Sequence, residues 1–525
     1  MALTPAAASR AAALARLAET PEWDMLVIGG GATGLGCAVD AAARGYKVLL
    51  VEAQDFAKGT SSRATKLVHG GVRYLAQGNL PLVREALAER ARLLANAPHL
   101  VHPLRFVVPS YRRRDTALLA VGLGAYDLLG GFGSQGGIAR SRVLDVAQTR
   151  AALPTVKTAG LRGGIAYWDA QFDDARLALA LARTVEDLGG LALNYCALAD
   201  LLVEGGRLRG AVLQEAGGRV FRVAARVVIN ATGVWADSVR RLAQPATPPL
   251  LRPSQGIHLV VDRGFLPGTD ALLVPRTADG RVLFMIPWQG RLLLGTTDSL
   301  RADLPLEPQP LPGEVDFVLD TAAAYLERPP RRQDVLSQFA GLRPLIGGGM
   351  GNDERPTGGL SREHLIEVSA TGLVSVLGGK WTTYRHMAEE AVDRALAVAG
   401  LPRRAAATAT LRLHGAREGD DPYGSDREAV EALPGAGRRL LEGLTLTEAE
   451  VRHAARAEYA LSVEDVLARR HRALFLDVRL AEQIAGQVAV ILADELGRDG
   501  NWCELQVKRF RMLAQSYAAA SATSR

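Results

Sequence analysis

Gly29-Gly30-Gly31-Ala32-Thr33-Gly34 is the first stretch of this 525-residue sequence whose residue types and spacing could do chemistry. In a GxGxxG pattern of this kind Gly29 permits a tight turn, Gly31 lets backbone approach a pyrophosphate, and Gly34 lets a helix close on a strand. The phosphates then sit at the helix N-terminus, where unpaired amides and the helix dipole favour an anion. Glu52 follows about 20 residues on, after a second apolar run, where a carboxylate can hold ribose hydroxyls and disfavours a 2′-phosphate. A lone GxGxxG is weak. Strand, glycines, helix, strand and acid together point to a dinucleotide, without separating FAD from NAD.

A denser polar block lies at 60–74, where Thr60, Ser61, Ser62, Lys66, His69, Gly70, Gly71, Arg73 and Tyr74 interrupt an otherwise apolar region. Loops of this composition are where binding residues concentrate, and a solvated loop is the plain alternative. Residues 226–230 read as a strand entering Ala231-Thr232-Gly233 and then Trp235, with Gly233 letting backbone pass close to a bound ring. Two more glycine-centred segments follow: 292–298, a strand into Gly295-Thr296-Thr297-Asp298, and 377–385, where Gly379 and Lys380 open a helical pattern through 399. Hydride reduction of a flavin puts negative charge near N1 and the C2 carbonyl, and a helix start with a lysine beside it suits that charge. Lys380, Thr382 and Thr383 are the candidates; an exposed first-turn lysine with hydroxyl caps is the alternative.

These segments need elements to position them. The runs 24–30 and 46–51 read as buried parallel strands either side of a helix. Further strands at 257–261, 271–274, 281–286 and 291–294, separated by Gly, Pro and Asp, read as an antiparallel sheet. At 525 residues the chain exceeds one compact core, so two or three domains are expected. With 48% hydrophobic and 22% charged residues and a mean hydropathy near zero, the composition is globular. Three scattered cysteines make neither a disulfide framework nor a CxxC metal pair and suit a reducing compartment. The first twenty residues carry Arg10, Arg16 and Glu19 and lack a secretory apolar core, and no apolar run is long enough to span a bilayer. A net charge of +6 is too mild to indicate nucleic acid, though it could favour anionic lipid or an anionic substrate. Beyond about 401, the stretch 418–426 reads as a linker, and Thr447-x-x-Glu450 and Ser462-x-x-Asp465 are helix-start signals, so a helical bundle for packing or dimerisation is expected. Residues 518–525 are expected to be disordered.

In order, DMLVIGGGATGLGCAVDAAARGYKVLLVE, TSSRATKLVHGGVRYL, INATGVWAD, GTTD, GLRPL and GGKWTTYRHMAE resemble the aerobic FAD-linked glycerol-3-phosphate dehydrogenases over about residues 22–400. KLVHGGVRYL and GGKWTTYR carry the specificity, whereas GxGxxG and ATG occur in many flavoproteins. The resemblance implies an α/β fold of the glutathione-reductase and D-amino-acid-oxidase type. It would combine a discontinuous FAD-binding domain (about 22–100, 160–250 and 339–400), an antiparallel-sheet substrate domain (about 101–159 and 251–338) and a helical C-terminal domain (401–525). Around FAD it implies Gly29, Gly31, Ala32, Thr33, Gly34, Glu52, Ala53, Thr60, Ser61, Ser62, Lys66, His69, Gly70, Gly71, Ala231, Thr232, Gly233, Trp235, Gly295, Thr296, Asp298, Gly379, Lys380, Thr382 and Thr383.

By motif position, Arg73, Tyr74, Arg343 and Lys380 are similar to the family's substrate-binding groups. Arginine suits a phosphate because its planar fork grips two oxygens. His258, on a strand that the resemblance brings toward the flavin, is the first choice of base, and a hydrogen-bonded core histidine is its alternative. His69 is the competing base and, by resemblance, belongs with the flavin-contacting loop. The implied reaction is oxidation of sn-glycerol 3-phosphate to dihydroxyacetone phosphate with a membrane quinone as acceptor, in the cytoplasm and peripheral on the inner face of the cytoplasmic membrane. Arg112, Arg113 and Arg114, ahead of an apolar stretch within 104–132, could anchor on anionic lipid, or belong to an internal amphipathic helix. A homodimer stays open. The rivals are a glycerol-3-phosphate oxidase using oxygen, an FAD amino-acid or sarcosine oxidase, and a nucleotide-sensing module without turnover.

Overall fold

The computed structural model describes residues 4–71, 78–129, 138–347 and 363–519. Trp23–Ile28 and Val48–Val51 are almost wholly buried, as strands sandwiched between two layers must be. Their side chains divide by the period of two: Met25 and Val27 join the core under the helices Ala32–Ala43 and Asp174–Asp187, while Leu26 and Ile28 join Leu14 and Leu17 of the helix Pro5–Glu19 on the other face. Each such leucine or valine contributes about 1.5–3 kcal/mol by leaving water. Across the sheet the strands run Leu191–Leu193, Val48–Val51, Trp23–Ile28, Val220–Asn230, Val374–Gly378 and His364–Val368. All neighbours pair in parallel except the last two. The parallel strands therefore end together, and their carboxyl ends open onto one crevice.

The second sheet runs Ser299–Leu300, Ser254–Asp262, Arg291–Gly295, Leu283–Trp288, Ala271–Val274, Val101–Ser110, Gly163–Phe172 and Leu67–Val68, with Val335–Arg343 pairing the other side of Ser254–Asp262. The strand expected at 271–274 has those bounds, and those expected at 257–261, 281–286 and 291–294 are present with shifted ends. One assignment changes. Gly163–Phe172, expected in the nucleotide-binding part, pairs antiparallel with Val101–Ser110 in the second sheet. Its burial on both faces left no alternation to distinguish it from a parallel core strand.

Both helix-start signals beyond residue 440 form. Glu450 N–H donates to Thr447 Oγ1 (3.2 Å) and Thr447 N–H to Glu450 Oε2 (2.9 Å). Asp465 N–H donates to Ser462 Oγ (3.1 Å) and Ser462 N–H to Asp465 Oδ2 (3.0 Å). Reciprocal caps of this kind satisfy the amides a helix start leaves open. The helices Val478–Leu496 and Gly500–Gln515 pack together, and the buried guanidinium groups of Arg469 and Arg470 pair with Asp55 of the first layer, pinning the helical part to it. The expected linker at 418–426 is not free: Tyr423 is buried with Arg176 and Arg427 4.4 and 4.6 Å from its ring centroid. Among the described residues no helix is long and apolar enough to cross a membrane. The helix Arg113–Leu129 turns Leu123 and Tyr126 into the protein while Leu128 stays exposed. Phe132, in the stretch expected to anchor on lipid, lies outside the described residues.

Candidate active site

Four strand ends of the parallel sheet lead into Gly29, Glu52, Ala231 and Gly379. Gly29 has φ +110°, and a Cβ there would meet the Ala231 carbonyl, while one at Gly34 would run into the Gly29 carbonyl. This is the close helix–strand approach that a dinucleotide cradle needs. Gly31 is the N-cap of the helix Ala32–Ala43, and the amide of Ala32 donates to Ser61 Oγ (2.9 Å). Glu52 accepts from the amides of Gly30 (2.7 Å) and Gln54 (2.8 Å). Burial raises its carboxyl above the ordinary range, and these two amides partly oppose the shift. Ala53, beside it, is exposed at the rim. A helix N-terminus free of side-chain bulk at Gly31, with a carboxylate one strand away, is the donor set an adenine dinucleotide requires, so these residues fit FAD.

Hydrogen bonds tie the polar loop to the other segments. Thr60 Oγ1 donates to the Leu342 carbonyl (2.5 Å), Trp381 Nε1 to the Ser61 carbonyl (2.9 Å), and the His69 amide to Thr382 Oγ1 (3.3 Å). The Gly70 amide donates to Tyr126 Oη (2.8 Å), which in turn bonds to Asp169. Lys380 precedes the short turn Trp381–Thr383 and the helix Tyr384–Ala399, as its motif suggested. Gly233 (φ +60°) follows Thr232, whose hydroxyl donates to Asn230 Oδ1 (2.8 Å), and Trp235 Nε1 donates to the Leu304 carbonyl (3.2 Å). Segments near 30, 60–70, 342 and 380, far apart in sequence, therefore meet.

Two of the expected cofactor contacts, Lys66 and Asp298, have side-chain partners within the protein. The Lys66 ammonium is fully buried, donating to Asp174 Oδ2 (2.7 Å) and the Ser62 carbonyl (2.9 Å), so its side chain braces the loop from behind. Burial pushes its pKa down to about 7, with Arg472 adding to the fall and Asp174 opposing it. A lysine inside a polar motif looks solvated in sequence, and only the long-range partner Asp174 decides otherwise. Asp298 accepts from Ser254 Oγ (2.6 Å) and lies 3.4 Å from Arg343 Nη1, so it orients an arginine.

Arg343 itself donates from Nη2 to Thr296 Oγ1 (3.0 Å) and the Thr297 carbonyl (3.1 Å), with its side chain about a quarter exposed at 23%. It crosses Gly256, where a Cβ would lie 2.7 Å from its Cζ. His258 is next on the same face of that strand, its Nε2 3.0 Å from Thr65 Oγ1 and its ring stacked on Phe339 with centroids 4.9 Å apart. Its Nδ1 is buried without a hydrogen-bond partner among the described residues. Burial, then Lys66 and Arg343, hold its pKa well below the usual histidine range, so the imidazole is neutral.

Arg73 and Tyr74 lie outside the described residues. Thr65, Phe339, Trp381 and Arg472, which the sequence reading did not single out, contact residues that it did. Phe339 faces His258 only through strand register, which sequence does not state. A glycine at 256, inside a buried strand and two residues before a histidine, was a readable sign of close approach.

The family model for FAD dependent oxidoreductases matches residues 24–385, and that for the C-terminal domain of alpha-glycerophosphate oxidase matches 369–502. The chain is 38% identical over 550 residues to the mitochondrial glycerol-3-phosphate dehydrogenase of Rattus norvegicus, covering 95% of this chain and 73% of that protein. It is 38% identical over 545 residues to a mitochondrial glycerol-3-phosphate dehydrogenase of Arabidopsis thaliana, covering 94% and 86%. A solved glycerol-3-phosphate dehydrogenase from Bacillus halodurans, complexed with FAD, superposes with a TM-score of 0.77 at 27% identity, covering 99% of each chain. The glycine cradle and the two-sheet fold agree with these likenesses: the chain belongs to the FAD-dependent glycerol-3-phosphate dehydrogenase family of oxidoreductases.

Proposed function

We propose that the chain oxidises sn-glycerol 3-phosphate to dihydroxyacetone phosphate and passes the electrons to a membrane quinone. The observation that carries this reading is the pair His258 and Arg343, set on one face of the second sheet beside the loop that meets the dinucleotide cradle. Arg343 binds the phosphate, with Lys380, Arg73 and Tyr74 completing the anion site; a planar guanidinium held by Thr296 and Asp298 keeps two donors in a fixed fork. His258 takes the C2 hydroxyl proton at the ring nitrogen that now meets Thr65. Bound FAD supplies the hydride acceptor. Lys380 and the turn at Thr382 and Thr383 favour the negative charge that follows.

The acceptor and its location belong to the same proposal: a peripheral enzyme on the inner face of the cytoplasmic membrane, resting on anionic lipid. The net charge of +6 and the arginines that open the helix Arg113–Leu129 support it. One experiment tests the substrate. The purified yellow protein, kept free of oxygen, is expected to bleach with glycerol 3-phosphate; bleaching by an amino acid instead would sink the assignment. Adding a soluble quinone or oxygen to the bleached enzyme then separates dehydrogenase from oxidase, since a dehydrogenase is reoxidised much faster by quinone than by oxygen and an oxidase is reoxidised rapidly by oxygen.

A further inference from the structure

The helical part of the chain reaches the loop beside His258 through Arg472 and Phe475. Arg472 is fully buried and sits in the left-handed backbone region (φ 54°), two residues after the π-helix Asp465–Arg470. Its Nη2 donates to the Ser62 carbonyl (2.6 Å) and its Nη1 to the Ala468 carbonyl (2.9 Å). Its guanidinium lies 4.1 Å from the ring centroid of Phe475. The same Ser62 carbonyl accepts from Lys66, four residues later in the loop. Two buried cations on one carbonyl are costly unless a carboxylate compensates, and Asp174 does so, 2.7 Å from Lys66 and 3.6 Å from Arg472. The consequence is local: residues 62–66 close into a small loop with Thr65 at its edge, hydroxyl on His258 Nε2.

A second path runs through rings. His258 stacks on Phe339, Phe339 meets Phe475 edge-on at 4.8 Å, and Phe475 meets Arg472. Loop and rings therefore both end on the imidazole and both begin at Arg472. We propose that Arg472 is a positioning residue for alcohol oxidation: from the helical part it fixes the Ser62–Lys66 loop and the aromatic wall, and so holds the imidazole of His258 in place. The inference rests on His258 being the base. The charged groups facing that imidazole are Lys66 from the loop and Arg343 from the neighbouring strand, with Asp174 and Asp298 behind them.

The test uses the FAD-loaded full chain and reads flavin reduction by glycerol 3-phosphate in single turnover, per bound flavin, across pH. Misplacing a reacting group by ~1 Å costs about 100-fold. Arg472→Met is thus expected to slow reduction about 10- to 100-fold, to move the pH–rate profile, and to leave KM within about twofold. Arg472→Lys, which can still reach a carbonyl, should recover part of the rate. Should Arg472→Met fail to fold, Arg472→Lys and Thr65→Val carry the test, because their effects should not multiply in the double variant if both act through the same contact. Wild-type reduction rate and pH profile in Arg472→Met, with only the melting temperature lowered, overturn the proposal while His258→Ala remains slow. Independent, multiplying effects of Arg472→Lys and Thr65→Val overturn it too. A fast His258→Ala variant overturns the base assignment instead, and the proposal with it.

Discussion

Arg343 lies across Gly256, and the space its guanidinium fills is the space a side chain at 256 would need. The strand Ser254–Asp262 thus carries a bare position where the neighbouring strand Val335–Arg343 sends its last residue over the top. Gly256→Ala should push the guanidinium off Thr296 and the Thr297 carbonyl. The expected result is KM for glycerol 3-phosphate raised about 10-fold or more, with the flavin absorbance unchanged, because charged hydrogen bonds are worth about 1.5–3 kcal/mol each. Steady-state kinetics with a flavin spectrum of the same sample checks it.

Arg343→Ala should weaken substrate more strongly than Gly256→Ala does, since it removes the charge altogether. An apparent affinity lower by about 10- to 100-fold is expected, with FAD retained. Asp298→Asn should fall between wild type and Arg343→Ala: the arginine stays but loses the carboxylate 3.4 Å from Nη1. An unchanged KM in Arg343→Ala would count against the phosphate role.

Gly34→Ala should act on the cofactor rather than the substrate. A Cβ at 34 would collide with the Gly29 carbonyl, so the helix Ala32–Ala43 must move off the strand Trp23–Ile28. The expected sample is colourless or partly colourless, with any residual activity proportional to its flavin content. Flavin released by acid precipitation and measured by fluorescence gives the ratio.

Acid should loosen the fold through two histidines outside the site. Burial lowers the pKa of His99 and of His471 to about 4; Arg176 adds to the first shift and Asp173 opposes the second. Between about pH 6.5 and 4 the unfolded chain binds more protons at these positions than the folded one. Stability therefore falls as pH falls through that window, by at most ~1.4 kcal/mol per pH unit for each group. Denaturant midpoints at pH 7 and 4.5, compared with a His99→Asn/His471→Asn variant, should show a flatter loss in the variant.

The local elements of the cradle were determined by the sequence itself. Strand, glycine turn, helix, strand and Glu52 lie within 30 residues of one another, and the two capping boxes at Thr447 and Ser462 are four-residue events, so propensity and spacing settle them. The antiparallel strands around His258 were readable for the same reason: alternation and turn residues are local signals. Tertiary structure decided which sheet Gly163–Phe172 joins, because a strand buried on both faces carries no mark of its neighbours. It also decided that Lys66 turns inward to Asp174, 108 residues away, that Phe339 lies under His258, and that Arg472 comes from the helical part to hold Ser62. A buried charge or a stacked ring is stable only with its partner present. Those partners are brought by strand register and domain packing, which no window of sequence contains.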